Sequence, residues 1–152
     1  MILILLTILL SLFVSLITLP LGYYSPEWIL LVLIYWAIAI PSINKLFLAF
    51  LLGFLVDIVL GQVLGISSLF YVILIYIVLR LYNSLRYMTI AQQSFVIFFL
   101  IIIKQHLFIW AYIIIDKTVE YQAILIGSFM NALLWPLIFF ALRYVRRKFN
   151  IG

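Results

Sequence analysis

The chain is a succession of long apolar runs broken by short clusters of proline, glycine and charge. A helix needs about 20 apolar residues to cross a hydrocarbon core of about 30 Å. The punctuation predicts helical segments at Ile2 to Leu19, Trp28 to Ile40, Leu46 to Leu60, Ile66 to Tyr82, Phe95 to Ile115 and Ala123 to Leu142. The second and third are short. Fused, they would measure roughly 50 Å at about 1.5 Å per residue, too long for one crossing. Pro41, Ser42, Asn44 and Lys45 interrupt them, where a tight turn belongs. The pattern predicts an all-α integral membrane protein, a bundle of six transmembrane helices forming one domain over residues 1–152.

Composition points the same way. Of 152 residues, 70% are hydrophobic and 9% charged, whereas soluble domains carry roughly 25% charged residues. A chain this short cannot hide so much apolar surface in one aqueous core. The N-terminal run has no basic flank and no A-x-A-like site after it, so it reads as an uncleaved first span. There is no cysteine, and the single histidine rules out a multi-histidine metal site.

Charge placement orients the spans, because Lys and Arg accumulate on the cytoplasmic side. With both termini inside, Lys45, Arg80, Arg86, Arg143, Arg146, Arg147 and Lys148 are cytoplasmic, against Lys117 alone outside. Lys104 falls within a span, and Glu27, Asp116 and Glu120 fall in outer loops. Tyr23, Tyr24, Trp28, Trp110, Tyr112 and Tyr121 fit outer interfaces, and Tyr82, Tyr87 and Tyr144 inner ones. The net charge of +5 shows no aromatic-interleaved patch for nucleic acid. The basic residues of the tail, 143–152, read as an anchor on anionic lipid of the inner leaflet or as a docking element for a protein.

Ala49, Gly53, Asp57, Gly61 and Gly65 recur every four residues. A carboxylate well inside a span costs about 2.5–3.5 kcal/mol on insertion scales and must find a partner. Asp57 and Lys104 lie at similar depths, roughly 16 and 14 Å from the inner ends of their spans, so an ion pair between them is one expectation. The other is that Asp57 bonds backbone or nearby Ser and Tyr groups. Gly61 and Gly65 either form a GxxxG contact or end the helix and shape the outer turn. Ala49 and Gly53 are expected to form a packing groove within the bundle. Lys104, Gln105 and His106 are relay candidates or buried structural polar groups, although Lys104 and His106 point about 200° apart. Asn131, Trp135 and Pro136 mark either a partner-binding kink or a tolerated transmembrane proline. No catalytic motif is present, and neither an enzymatic activity nor a cofactor is expected.

Taken together, SPEWILLVLIYWAIAIP, AFLLGFLVDIVLGQVLG and NALLWPLIFFALRYVRRKF resemble MreD, the bacterial rod-shape-determining membrane protein family. The resemblance covers essentially the whole chain, on Pro26, Trp28, Tyr35, Trp36, Pro41, Gly53, Asp57, Gly61, Gly65, Asn131 and Pro136. It implies an inner-membrane scaffold of lateral peptidoglycan synthesis, the elongasome, that maintains cell shape. It also implies binding to MreC and, through it, links to MreB filaments, RodA and its penicillin-binding transpeptidase. A fold similar to the six-helix S-components of energy-coupling-factor transporters is implied as well. Ser25 stands where the family often has arginine, and the turn PSINKL is less basic than usual.

Two other readings compete. A small-molecule or lipid-binding protein of the S-component type needs polar residues converging on an outer cavity, and Glu27, Gln62, Asp116, Glu120 and Gln122 are the few on offer. An enzyme acting on wall-lipid precursors would depend on Asp57.

Overall fold

The apolar runs resolve into six α-helices in a computed structural model, which describes residues 2–17, 25–42, 44–61, 63–114 and 121–149. They are α1 (Ile2–Ile17), α2 (Trp28–Ala39), α3 (Asn44–Leu60), α4 (Ile66–Tyr87), α5 (Ile90–Ile114) and α6 (Tyr121–Lys148). Every regular element among the described residues is helical. Three stretches, Ile66–Tyr87, Ile90–Trp110 and Leu125–Lys148, are long and apolar enough to cross a membrane. Tyr23, Tyr24, Gln62, Asp116, Lys117 and Glu120 fall outside the described residues, as do the side chains of Tyr112, Tyr121 and Gln122.

The core is built around α2. Every residue from Ile29 to Ile38 is buried, and the helix packs against α1, α3, α4 and α6. A helix apolar on all sides belongs inside a bundle rather than at its edge. Its 12 residues span about 18 Å at 1.5 Å per residue, well short of a bilayer core. The outer helices carry the surface: Leu9, Leu10, Phe13, Phe47, Phe50 and Phe54 are all exposed. Large apolar side chains turned outward in such numbers suit lipid as the surrounding solvent.

Two indole N–H groups fasten neighbouring helices. Trp36, fully buried on α2, donates to the Thr7 hydroxyl of α1 at 3.0 Å. Trp135, fully buried on α6, donates to Gln93 Oε1 of α5 at 3.1 Å. A buried indole N–H without an acceptor would cost about 1–3 kcal/mol, so these bonds fix how the helices are rotated.

Helix ends differ from expectation at the end where α4, α5 and α6 carry their basic and polar residues. The helix α4 runs to Tyr87 and α5 begins at Ile90, not Phe95. The reason is a capping box missed in the sequence: Thr89 N–H donates to Gln92 Oε1 at 2.9 Å, and Gln92 N–H to Thr89 Oγ1 at 3.4 Å. The residues RYVRRK, read as a tail, are the closing turns of α6. Cations at a helix C-terminus are stabilised by the carbonyl dipoles there, which favours this continuation.

Candidate functional site

The GFLVDIVLGQVLG element is a clamp between α3 and α4. A methyl group added at Gly53 would lie 2.5 Å from Ser68 Cα and 2.6 Å from Ser68 N. The first turn of α4 therefore presses directly on the α3 backbone, and only glycine leaves room. One turn further along α3, the Asp57 carboxylate is fully buried and accepts from Gly65 N–H at 2.8 Å and Ser67 N–H at 3.2 Å. These are donors at the start of α4 that have no intrahelical acceptor. A carboxylate there also meets the positive end of the helix dipole. Asp57 thus caps the next helix from outside it. Gly61 and Gly65, at φ +61° and +96°, turn the chain between the two helices, a backbone conformation that side chains rarely tolerate.

The expected Asp57–Lys104 ion pair does not form. Lys104 Nζ pairs instead with Glu27 Oε2 at 2.6 Å, and sits 5.5 Å from the ring centres of Tyr71 and Phe108. The physical reason is the shortness of α2. Glu27, expected in an outer loop, is the N-cap residue of this short helix, and with α2 enclosed by the bundle it lies at the level of Lys104. Helix α6 joins the same cluster: Asn131 Oδ1 accepts from Glu27 N–H at 2.8 Å, while its Nδ2 donates to Gly127 O at 2.8 Å. Asn131 thus joins α6 to the start of α2, and both ends of its amide are engaged within the chain. Gln105 accepts from Ser128 at 2.9 Å, and exposed His106 bonds the Ile102 carbonyl of its own helix. Lys104 and His106 therefore do not form a relay.

A register relates this cluster to the other end of the bundle. Glu27, the N-cap of α2, and Ile38 within it are 11 residues apart, as are Gln93 and Lys104 on α5, and Asn131 and Arg143 are 12 apart on α6. Each interval is roughly 16–18 Å of helix. One level holds Glu27, Lys104 and Asn131. The other holds Ile38, Gln93 and Arg143, which line a cavity of about 220 Å³ with Tyr35, Ala39, Arg86, Phe139 and Arg146. Described carboxylates and the basic helix ends are thereby segregated to opposite ends.

The family-motif residues divide between these features. Trp28 and Pro26 stand at the entry to α2, Tyr35 and Trp36 in its buried core, and exposed Pro41 just past its end. Pro136 lies within a continuous α6 beside the Trp135–Gln93 bond. Arg147 and Lys148 lie on the last turn of α6 with Arg146. Gln93 was missed at the sequence level. The Thr89–Gln92 capping box was the available signal, because it starts α5 at Ile90 and so sets Gln93 in the first turn of the helix rather than in a loop.

A family model described as "rod shape-determining protein MreD" matches residues 1–145. The chain belongs to the MreD family. A rod shape-determining protein MreD from Haemophilus influenzae is 36% identical over 135 residues, covering 87% of this chain and 83% of that protein. No solved structure matches. In this MreD-family chain the GxxxD…G…LG pattern has a physical meaning: close approach at Gly53, capping by Asp57 and turning at Gly61 and Gly65. Membership supports a role in cell-shape determination.

Proposed function

We propose that the chain is a non-enzymatic scaffold of lateral peptidoglycan synthesis in the bacterial inner membrane. In this reading six segments cross the bilayer with both termini cytoplasmic, the short α2 completing its crossing through the residues that flank it, and the bundle holds MreC, linking it to MreB, RodA and its transpeptidase. The observation that carries the reading is how the buried polar groups are used. Asp57 caps α4, Glu27 and Lys104 neutralise each other, and Asn131 and Gln93 join helices. Groups so engaged hold a frame together, and a frame with a large apolar exterior suits other membrane helices as partners. The segregation of charge between the two ends supports the orientation. A fold akin to the S-components of energy-coupling-factor transporters is part of the proposal, on the strength of the helix number and order.

The small-molecule reading has less support, since Glu27 is committed to Lys104. Depletion tests the scaffold: rods should become spheres, and MreC should co-purify with the chain in detergent. Rods that persist after depletion refute it.

A further inference from the structure

We propose that the arginine-lined cavity is a binding site for the phosphodiester headgroup of an anionic phospholipid. It rests on the orientation proposed above, which places this end of the bundle at the cytoplasmic leaflet. Arg86 arrives from the end of α4, and Arg143 and Arg146 from the end of α6. Helices remote in sequence thus bring like charges to one cavity of about 220 Å³. Among the described residues no carboxylate lines it and none of the three guanidiniums is ion-paired. The acids Glu27 and Asp57 are committed elsewhere, at the Lys104 cluster and the start of α4. Gathering cations without a counter-charge is unfavourable, and a bound anion removes the cost.

The walls are built rather than incidental. Gln93, 3% exposed, donates to Leu85 O at 2.8 Å and accepts from Trp135, tying the turn that carries Arg86 to α5 and α6. Tyr35 is held edge-on by Trp36 and Phe139, at 5.4 and 5.7 Å between ring centres. The Arg143 guanidinium lies 5.8 Å from the Phe139 ring centre, which orients it. Guanidinium forks match phosphate oxygens in pairs.

At about 220 Å³ the cavity is smaller than the ~300 Å³ typical of drug-sized ligands. A headgroup fits that scale. Ile38, Ala39 and Phe139 add an apolar wall, which glycerol and the first methylenes of a lipid would cover and free phosphate would leave bare. Basic pockets between helices at the cytoplasmic face are suited to anionic headgroups.

The test is lipid binding by the full chain in neutral detergent, followed by native mass spectrometry. Dioleoyl phosphatidylglycerol should bind at one saturable site, about tenfold or more tighter than dioleoyl phosphatidylcholine. The variant R86Q/R143Q/R146Q should lose about tenfold, and the charge-matched R80Q/R147Q/K148Q less than about twofold. Arg80 and Lys148 are turned onto Tyr76 and Tyr144 instead of the cavity. Equal losses in the two variants would mean a diffuse basic surface and overturn the site. Equal affinity for the two lipids overturns it as well. Displacement of phosphatidylglycerol by equimolar inorganic phosphate, or tighter binding of a short polyglutamate peptide, overturns the lipid assignment. Should the triple variant not fold, Arg146→Lys keeps the charge but removes the fork. A loss of about threefold is then expected, and unchanged binding overturns the proposal.

Discussion

Gly53→Ala is the most economical way to open the α3–α4 clamp. The added carbon would lie 2.5 Å from Ser68 Cα, where ordinary carbon contacts are about 3.5–4.0 Å. Ser68 offers backbone at this point, so a whole helix start must retreat by roughly 1 Å. That retreat stretches the bonds from Gly65 and Ser67 to Asp57, now 2.8 and 3.2 Å, towards the limit of hydrogen bonding. Overpacking costs about 1–3 kcal/mol, and weakening a bond to a charged acceptor adds about 1.5–3 kcal/mol. The better helix propensity of alanine returns about 1 kcal/mol. The net expectation is a loss of about 2–4 kcal/mol, or about 5–15 °C in Tm for a chain of this size.

Far-UV circular dichroism of the detergent-solubilised protein during heating measures the loss. Asp57→Ala, which orphans the same two donors, should show a comparable one. Combining the two should cost less than their sum by about 1–2 kcal/mol, because both act on the same contacts. Gly61→Ala provides contrast: the added carbon would have open space, but φ there is +61°, so only backbone strain of about 1 kcal/mol is expected. A Gly53→Ala protein within about 0.5 kcal/mol of wild type, or strict additivity with Asp57→Ala, would refute the clamp.

Lys104→Met should destabilise by about 3 kcal/mol or more, because it strands the Glu27 carboxylate, whose side chain is 16% exposed. Adding Glu27→Gln should recover much of that loss, and the same unfolding assay reads both; no recovery would show that Lys104 serves another partner. The absence of cysteine makes single-cysteine labelling direct. Cysteines at Ser42 and Lys148 should react with an impermeant maleimide only after the inner membrane is opened, and one at Lys117 in intact spheroplasts. The opposite pattern refutes the orientation without touching the lipid-site test.

Local pattern alone determined a good deal. The apolar runs and their breakers placed the helices in order, and two of the breakers, Pro41 and the Gly61–Gly65 segment, lie where the chain turns. The motif spelling identified the family, whose match covers residues 1–145. Such features are legible because hydropathy, turn chemistry and spacing are properties of adjacent residues. Partner choice was not legible. Depth measured from predicted helix ends matched Asp57 to Lys104, whereas contact depends on how far each helix is shifted and rotated against the others. Gly53 brings α4 close enough for Asp57 to take its first N–H groups. The short, fully enclosed α2 sets Glu27 beside Lys104. The same shifts gather Arg86, Arg143 and Arg146 around one cavity although α5 separates them in sequence. Sequence spacing fixes which face of a helix a residue occupies; only packing decides what that face meets.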